Sequence, residues 1–112
     1  MKKDLVTFPD FQKLDFRVGK VIKAEEVVGS TNLIRMTVDL GKDYGKQKII
    51  AGLAKYCKRE DIQGKKYLFI ANLAPKQMMK ELSNGMMLCG DNDGEIALIP
   101  VNNKFTEGMV VR

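Results

Sequence analysis

The sequence predicts a small all-β domain: a closed Greek-key barrel of five short strands, with a short N-terminal helix and a C-terminal extension. Three observations predict it. Apolar residues recur at every second position in several short runs, the runs are bounded by Gly, Asn and Asp, and only two brief stretches carry helix signals. With 112 residues, 45% of them hydrophobic, the chain forms one domain over residues 1–112, with a modest core that a partner subunit would help to stabilise.

The elements follow in order. In Thr7-Phe8-Pro9-Asp10, Thr7 suits a cap, Pro9 the first turn and Asp10 the helix dipole, so a helix from Phe8 to Leu14 would carry Phe11 and Leu14 onto the core. From Asp15 to Val28, Phe16, Val18 and Ile22 alternate with Arg17, Gly19 and Lys23, and Gly19 offers the strand a place to bend. Leu33 to Leu40 alternates in the same way. Lys46 to Leu53 and the more continuously apolar Lys66 to Leu73 are two further strands, and the second reads as central. Between them, Lys58 to Gly64 suits a helical turn closed by glycine. Met86 to Cys89 is a short strand, and the turn Asp91-Asn92-Asp93-Gly94 leads into Glu95 to Ile99 as a hairpin. The expected core comprises Val18, Ile22, Met36, Val38, Ile50, Leu68, Ile70 and Leu88. The barrel spans about 15–90 and the extension about 91–112.

Composition excludes several functions. With no histidine there is no Ser-His or Cys-His nucleophile and no imidazole metal site, and two cysteines cannot supply four zinc ligands. Gly41 to Gln47 fails as a phosphate loop, because its glycines are too close and Gln47 stands where Ser or Thr would hold magnesium. An enzyme is not expected, nor any cofactor. Cys57 and Cys89 read as free thiols and, with no apolar stretch of membrane-spanning or signal type, the chain reads as cytoplasmic with no membrane association.

Charge is unevenly spread. Residues 1–80 carry 17 of the 19 Lys and Arg and a net charge of +8, whereas residues 81–112 carry −3. A pI near 9.3 with its cations on one part of the fold is the electrostatic footprint of a nucleic-acid binder, or else a solubilising surface of mixed charge.

Strand pattern alone fits a barrel of the oligonucleotide/oligosaccharide-binding (OB) type and leaves a β-sandwich open. The succession DFRVGKVIKAE, GSTNLIRMTVDLG, IIAGLAKY, GKKYLFIANLAPK and SNGMMLCG resembles, in order and spacing, the tRNA-binding domain at the C-terminus of methionyl-tRNA synthetases. The same domain occurs in endothelial-monocyte-activating polypeptides and as small stand-alone tRNA-binding proteins. The resemblance covers about residues 8–100 and implies an OB fold that binds tRNA. The short chain with its Met1 is most like the stand-alone homodimeric form, a separately made synthetase appendage being the other option; an aminoacyl-tRNA synthetase is then a further partner.

The resemblance places Ser83 and Met86 of the Ser-x-Gly-Met element at the tRNA surface, with Gly85 permitting the turn. A hydroxyl can donate to phosphate or ribose, and a polarizable thioether can pack on a base of any identity. Read without it, Ser83 is a turn residue and Met86 a core methionine. Lys20, Lys23, Arg35, Lys48, Lys55, Asn72 and Lys76 complete the expected groove as phosphate and base contacts. Asn32, Ala74, Gln77 and Lys80 depart from the family pattern, which implies altered affinity or tRNA preference. A related branch of the fold comprises peptide-binding secretion chaperones, which lack the intact Ser-x-Gly-Met element. The apolar run Ile96, Leu98, Ile99, Val101, Phe105, Met109, Val110 and Val111 is expected to form a dimer interface.

Overall fold

A computed structural model describes all 112 residues. The chain runs α1 (Phe8–Gln12), β1 (Phe16–Glu26), β2 (Ile34–Asp39), β3 (Lys46–Ala51), α2 (Arg59–Ile62), β4 (Lys66–Ile70), β5 (Lys76–Met78), β6 (Glu81–Ser83), β7 (Met86–Met87), β8 (Cys89–Asn92), β9 (Glu95–Leu98) and β10 (Val110–Val111). One antiparallel sheet in the order β3-β2-β1-β4-β7 curls into a nearly closed barrel, as the resemblance implies. The closing seam between β3 and β7 carries no ladder. It is bridged where the Asn84 N–H donates to the Lys48 carbonyl (2.8 Å) and the Ile50 N–H donates to the Ser83 hydroxyl (2.9 Å).

A β-bulge reorganises the first strand. Val21 pairs with Val38 and Lys23 with Thr37, so Ile22 is an extra residue without a partner on β2. Val21 and Ala24 therefore point inward, and Ile22, expected in the core, is 39% exposed. Gly19 does not make the bend. It lies opposite Tyr67, and a Cβ there would stand 2.6 Å from Val38 and 2.7 Å from Phe69, so its role is close packing inside the barrel.

The core is Val21, Ala24, Ile34, Met36, Val38, Leu40, Ile49, Leu53, Ile62, Tyr67, Phe69, Ala71 and Met87. Met36 and Val38 are buried in this cluster as expected, and Val18 and Ile50 are buried outside it. Leu68, Ile70 and Leu88 are only half-buried, because on β4 it is Tyr67 and Phe69 that face inward, with Met87 opposite Phe69. A near-continuous apolar strand gives no parity signal, and a shift of one residue exchanges its two faces.

α1 starts at Thr7, whose hydroxyl accepts from the Asp10 N–H, but ends at Gln12 and buries none of its residues. Phe11 and Leu14 do not reach the core. Phe11 instead stacks between Phe8 and Phe16 at ring-centroid distances of 6.1 and 5.7 Å. Asp93 (φ 51°) and Gly94 (φ 92°) make the two-residue turn that joins β8 to β9.

The C-terminal extension folds back on its own barrel. The Val101 N–H bonds the Lys66 carbonyl, the Lys66 ammonium donates to the Phe105 carbonyl (2.7 Å), and Val18 exchanges backbone bonds with Gly108 and Met109 before β10 pairs with Phe16 and Arg17. Of the residues expected at a dimer interface, Ile96 and Leu98 pack against the core cluster, while Ile99, Met109 and Val110 stay exposed.

Candidate nucleic-acid interface

The segment Leu82 to Leu88 does three different jobs. Ser83 is only 4% exposed, and its hydroxyl accepts from the Ile50 N–H while lying 3.4 Å from the Gly85 carbonyl. The hydroxyl expected at the tRNA surface is thus bonded at the barrel seam, where it fastens the β5–β6 hairpin to β3. Gly85 adopts φ +142°, where a Cβ would meet Ile49 at 3.0 Å and the Ile70 carbonyl at 3.1 Å, so glycine alone fits. The alternation of β7 then sends Met87 inward and leaves Met86 52% exposed, on the side expected of a contact residue.

Met86, Ser83, Gly85 and Lys76 line one cavity of about 300 Å³ together with Ile50, Leu73 and Met78. Its walls are mainly apolar, and Lys76 supplies the cation. Met78 and Met86 give it adaptable sides, suited to a flat apolar face of variable outline.

A cationic face continues from the cavity along the outer side of β3, β2 and β1. Lys48 stands two residues before Ile50 on the same side of β3, opposite Thr37, which lies opposite Lys23. Arg35 lies opposite Glu25. Its Nη1 donates to Glu81 Oε2 (2.8 Å) and its Nε lies 3.5 Å from Glu25 Oε1. Lys48 Nζ stands 3.3 Å from the other Glu81 oxygen, and Lys23 Nζ 3.6 Å from Glu25. The Arg35 hydrogen bond holds both carboxyls below the usual glutamate range, with Lys48 adding at Glu81 and Lys23 at Glu25. Three cations thus alternate with two carboxylates across four strands, β1, β2, β3 and β6.

Of the other expected residues, Lys20 stands further along the outer side of β1, while Lys55 and Asn72 lie on the loops after β3 and β4. Lys20, opposite Asp39 and Lys66, lies where the C-terminal extension crosses, close enough that its charge adds to that of Lys66 in lowering the Glu107 carboxyl, after that residue's own backbone N–H. Asn72 is engaged at the end of the barrel: its Oδ1 accepts from the Asp15 N–H (2.8 Å) and its Nδ2 donates to the Lys13 carbonyl (2.7 Å), joining the end of β4 to the start of β1. Lys55 is exposed on the loop after β3, next to Ala54, whose N–H bonds the Asn32 carbonyl.

Sequence reasoning missed the carboxylates. Glu81 is placed by the β5–β6 hairpin, whose turn contains Met79 at φ 57° followed by Lys80 and lacks the Gly or Asn that punctuates such turns. Without that signal nothing brings Glu81 beside Arg35.

Residues 16–110 match the family described as "Putative tRNA binding domain". The chain belongs to this tRNA-binding domain family. The tRNA-binding domain is non-catalytic, although curated relatives that carry it are whole synthetases. The methionine–tRNA ligase of Clostridium tetani is 38% identical over 112 residues, covering 98% of this chain and 17% of the ligase. That of Methanocaldococcus jannaschii is 37% identical, covering 99% and 17%. The chain therefore spans about a sixth of the length of such relatives. Among solved structures, a MetRS-related protein from Pyrococcus horikoshii superposes with a TM-score of 0.92 at 32% identity, covering 98% of this chain and all of that one. The chaperone CsaA from Bacillus anthracis superposes with a TM-score of 0.87 at 28% identity, covering 97% of this chain and all of its own.

Proposed function

We propose that this tRNA-binding domain grips folded tRNA by its shape, without catalysis, as a stand-alone protein or as a synthetase-associated module that raises the local tRNA concentration. The observation that carries the reading is the continuity of the cationic face of Lys23, Arg35 and Lys48 with the apolar cavity at Met86. Phosphates would lie along the first while an unstacked base or ribose edge enters the second. Lys76 and Lys55 extend the charge beyond the cavity, and Ser83 and Gly85 act by fixing where Met86 stands.

The exposed Phe8, Met109 and Val110, with the Phe8–Phe11–Phe16 stack, favour a homodimer paired through the barrel end that carries α1 and β10; a cytoplasmic location is part of the same proposal. A synthetase chain is the further partner, in keeping with the ligase relatives. The second reading is a peptide-binding chaperone or assembly module, favoured by the superposition on CsaA and by the apolar cavity walls.

The test is competition at one fixed salt concentration between bulk tRNA, an unstructured RNA of equal length and an extended apolar peptide, with wild type and Met86→Ala side by side. The expected result is preference for tRNA and loss of that preference in Met86→Ala. Equal binding of both RNAs, or displacement of tRNA by peptide alone, overturns the reading. Light scattering at about ten micromolar tests the dimer, a concentration at which an interface of micromolar affinity is mostly formed.

A further inference from the structure

We propose that Glu81 is a built-in competitor for phosphate, an intramolecular anion that occupies Arg35 and Lys48 until nucleic-acid phosphate displaces it. The geometry points to substitution at one site. The two oxygens of a single carboxylate take one cation each, Arg35 at 2.8 Å and Lys48 at 3.3 Å, as two oxygens of one phosphate would. Both cations remain reachable, the Arg35 side chain being 28% exposed and that of Lys48 45%.

The hairpin presents this anion with little else holding its tip. β5 and β6 pair only with each other. Behind Glu81 the hairpin is fastened by Ser83 to Ile50 and by Asn84 to Lys48. Beyond Glu81, its tip approaches the β1–β2 loop where Met79 Cε lies near Gly29. The carboxylate can therefore leave its cations while the Ser83 anchor and the wall of the cavity stay in place. Glu25 pairs with Arg35 from the opposite side, at the longer distance of 3.5 Å, and remains to orient the guanidinium when Glu81 departs.

Two consequences distinguish this role from a purely structural one. Each phosphate engaged must first break two ion pairs, which lowers the affinity for any phosphate-bearing ligand. Anions that cannot span Arg35 and Lys48 together gain little, so the latch favours ligands whose shape brings a phosphate to that point. Glu81 then tunes selectivity by penalising loose binding along the basic face.

The test compares wild type with Glu81→Gln, which keeps size and hydrogen-bonding capacity but removes the charge, and with Asp93→Asn, which removes one charge at the distant β8–β9 turn. The first probe is inorganic tripolyphosphate, followed by NMR of the Arg35 Nε–H. Glu81→Gln should bind it about three- to tenfold more tightly, the range expected from releasing two part-exposed ion pairs, and Asp93→Asn should match wild type. The second probe is bulk tRNA, for which Glu81→Gln should tighten binding and steepen the salt slope by roughly 0.7 to 0.9, because the phosphate contact is no longer offset by a carboxylate released to solvent. Glu81→Ala, run in parallel, should shift both in the same direction and covers the case in which Glu81→Gln does not fold. The RNA arm alone rests on the tRNA-binding reading. Tighter tripolyphosphate binding with no tRNA binding by any variant supports the latch and rejects that reading. Unchanged or weaker tripolyphosphate binding in both Glu81 variants, or an equal gain in Asp93→Asn, overturns the latch.

Discussion

Replacing Ser83 by alanine separates anchoring from contact. In the native barrel the Ile50 N–H donates to the Ser83 hydroxyl at 2.9 Å, on a residue 4% exposed, at a seam where no ladder joins β3 to β7. Removing the oxygen leaves a buried amide without an acceptor, a loss of about 1–3 kcal/mol. Unfolding entropy scales with chain length, so for 112 residues each kcal/mol corresponds to about 4 °C in midpoint. The midpoint should therefore fall by roughly 4–12 °C, measured by circular dichroism at neutral pH. tRNA affinity should fall as well, even well below the midpoint, because Gly85 and Met86 lose their fixed position; the salt dependence should stay the same because no charge changes. A Ser83→Ala protein with the wild-type midpoint but weakened tRNA binding would refute the anchor and restore the hydroxyl as a direct contact.

Met86→Ala should do the reverse, leaving the midpoint within about 0.5 kcal/mol of wild type, since the side chain is half exposed, while weakening tRNA binding in a gel shift. Lys23→Ala should reduce affinity for many tRNAs alike and lower the salt slope by about one contact. Gly19→Ala forces a methyl to within 2.6 Å of Val38 and 2.7 Å of Phe69, and should destabilise by about 1–3 kcal/mol in urea titration with no change in oligomeric state. The Asp15 carboxyl is held below the ordinary aspartate value of 3.8 by its hydrogen bond with Arg17, against the effect of burial and with help from Tyr44. A lowered folded value means that this stabilisation is complete above the unfolded value and is lost as pH falls below 3.8 towards the folded value; Asp15→Asn should lower the neutral-pH midpoint and flatten that acid limb.

What the sequence made legible was what local chemistry specifies. The cap at Thr7, the turn at Asp93-Gly94 and the alternation of β2 are each written in residues whose conformational preferences act over a few positions, and each stands where those residues indicate. Faces were legible only where polar residues alternate. On β4, Tyr67 and Phe69 could not be told from Leu68 and Ile70 as inward residues, and on β1 the bulge at Ile22 changed parity without any Gly or Pro to mark it. At the candidate interface, Met86 and the row of Lys23, Arg35 and Lys48 were readable from the family resemblance and from strand alternation. The acids between them, and the inward turn of Ser83, depend on a hairpin whose turn lacks the usual residues and on a seam closed by a side chain. Neither leaves a local trace.

Gly41 and Gly108 cross so closely that a Cβ on either would lie within 3 Å of the other's Cα, and both hold φ of +85°. The crossing ties the loop after β2 to the segment that completes the edge of β1, and it can form only after Gly108 has been made. Until that segment docks, the Val18 N–H and carbonyl on this edge of β1 have no partner, so the segment around Gly108 and Met109 finishes the wall of a barrel whose other strands can already pair. Amide exchange at Val18, whose N–H bonds the Met109 carbonyl, would then report docking of the C-terminal segment separately from the collapse of the core.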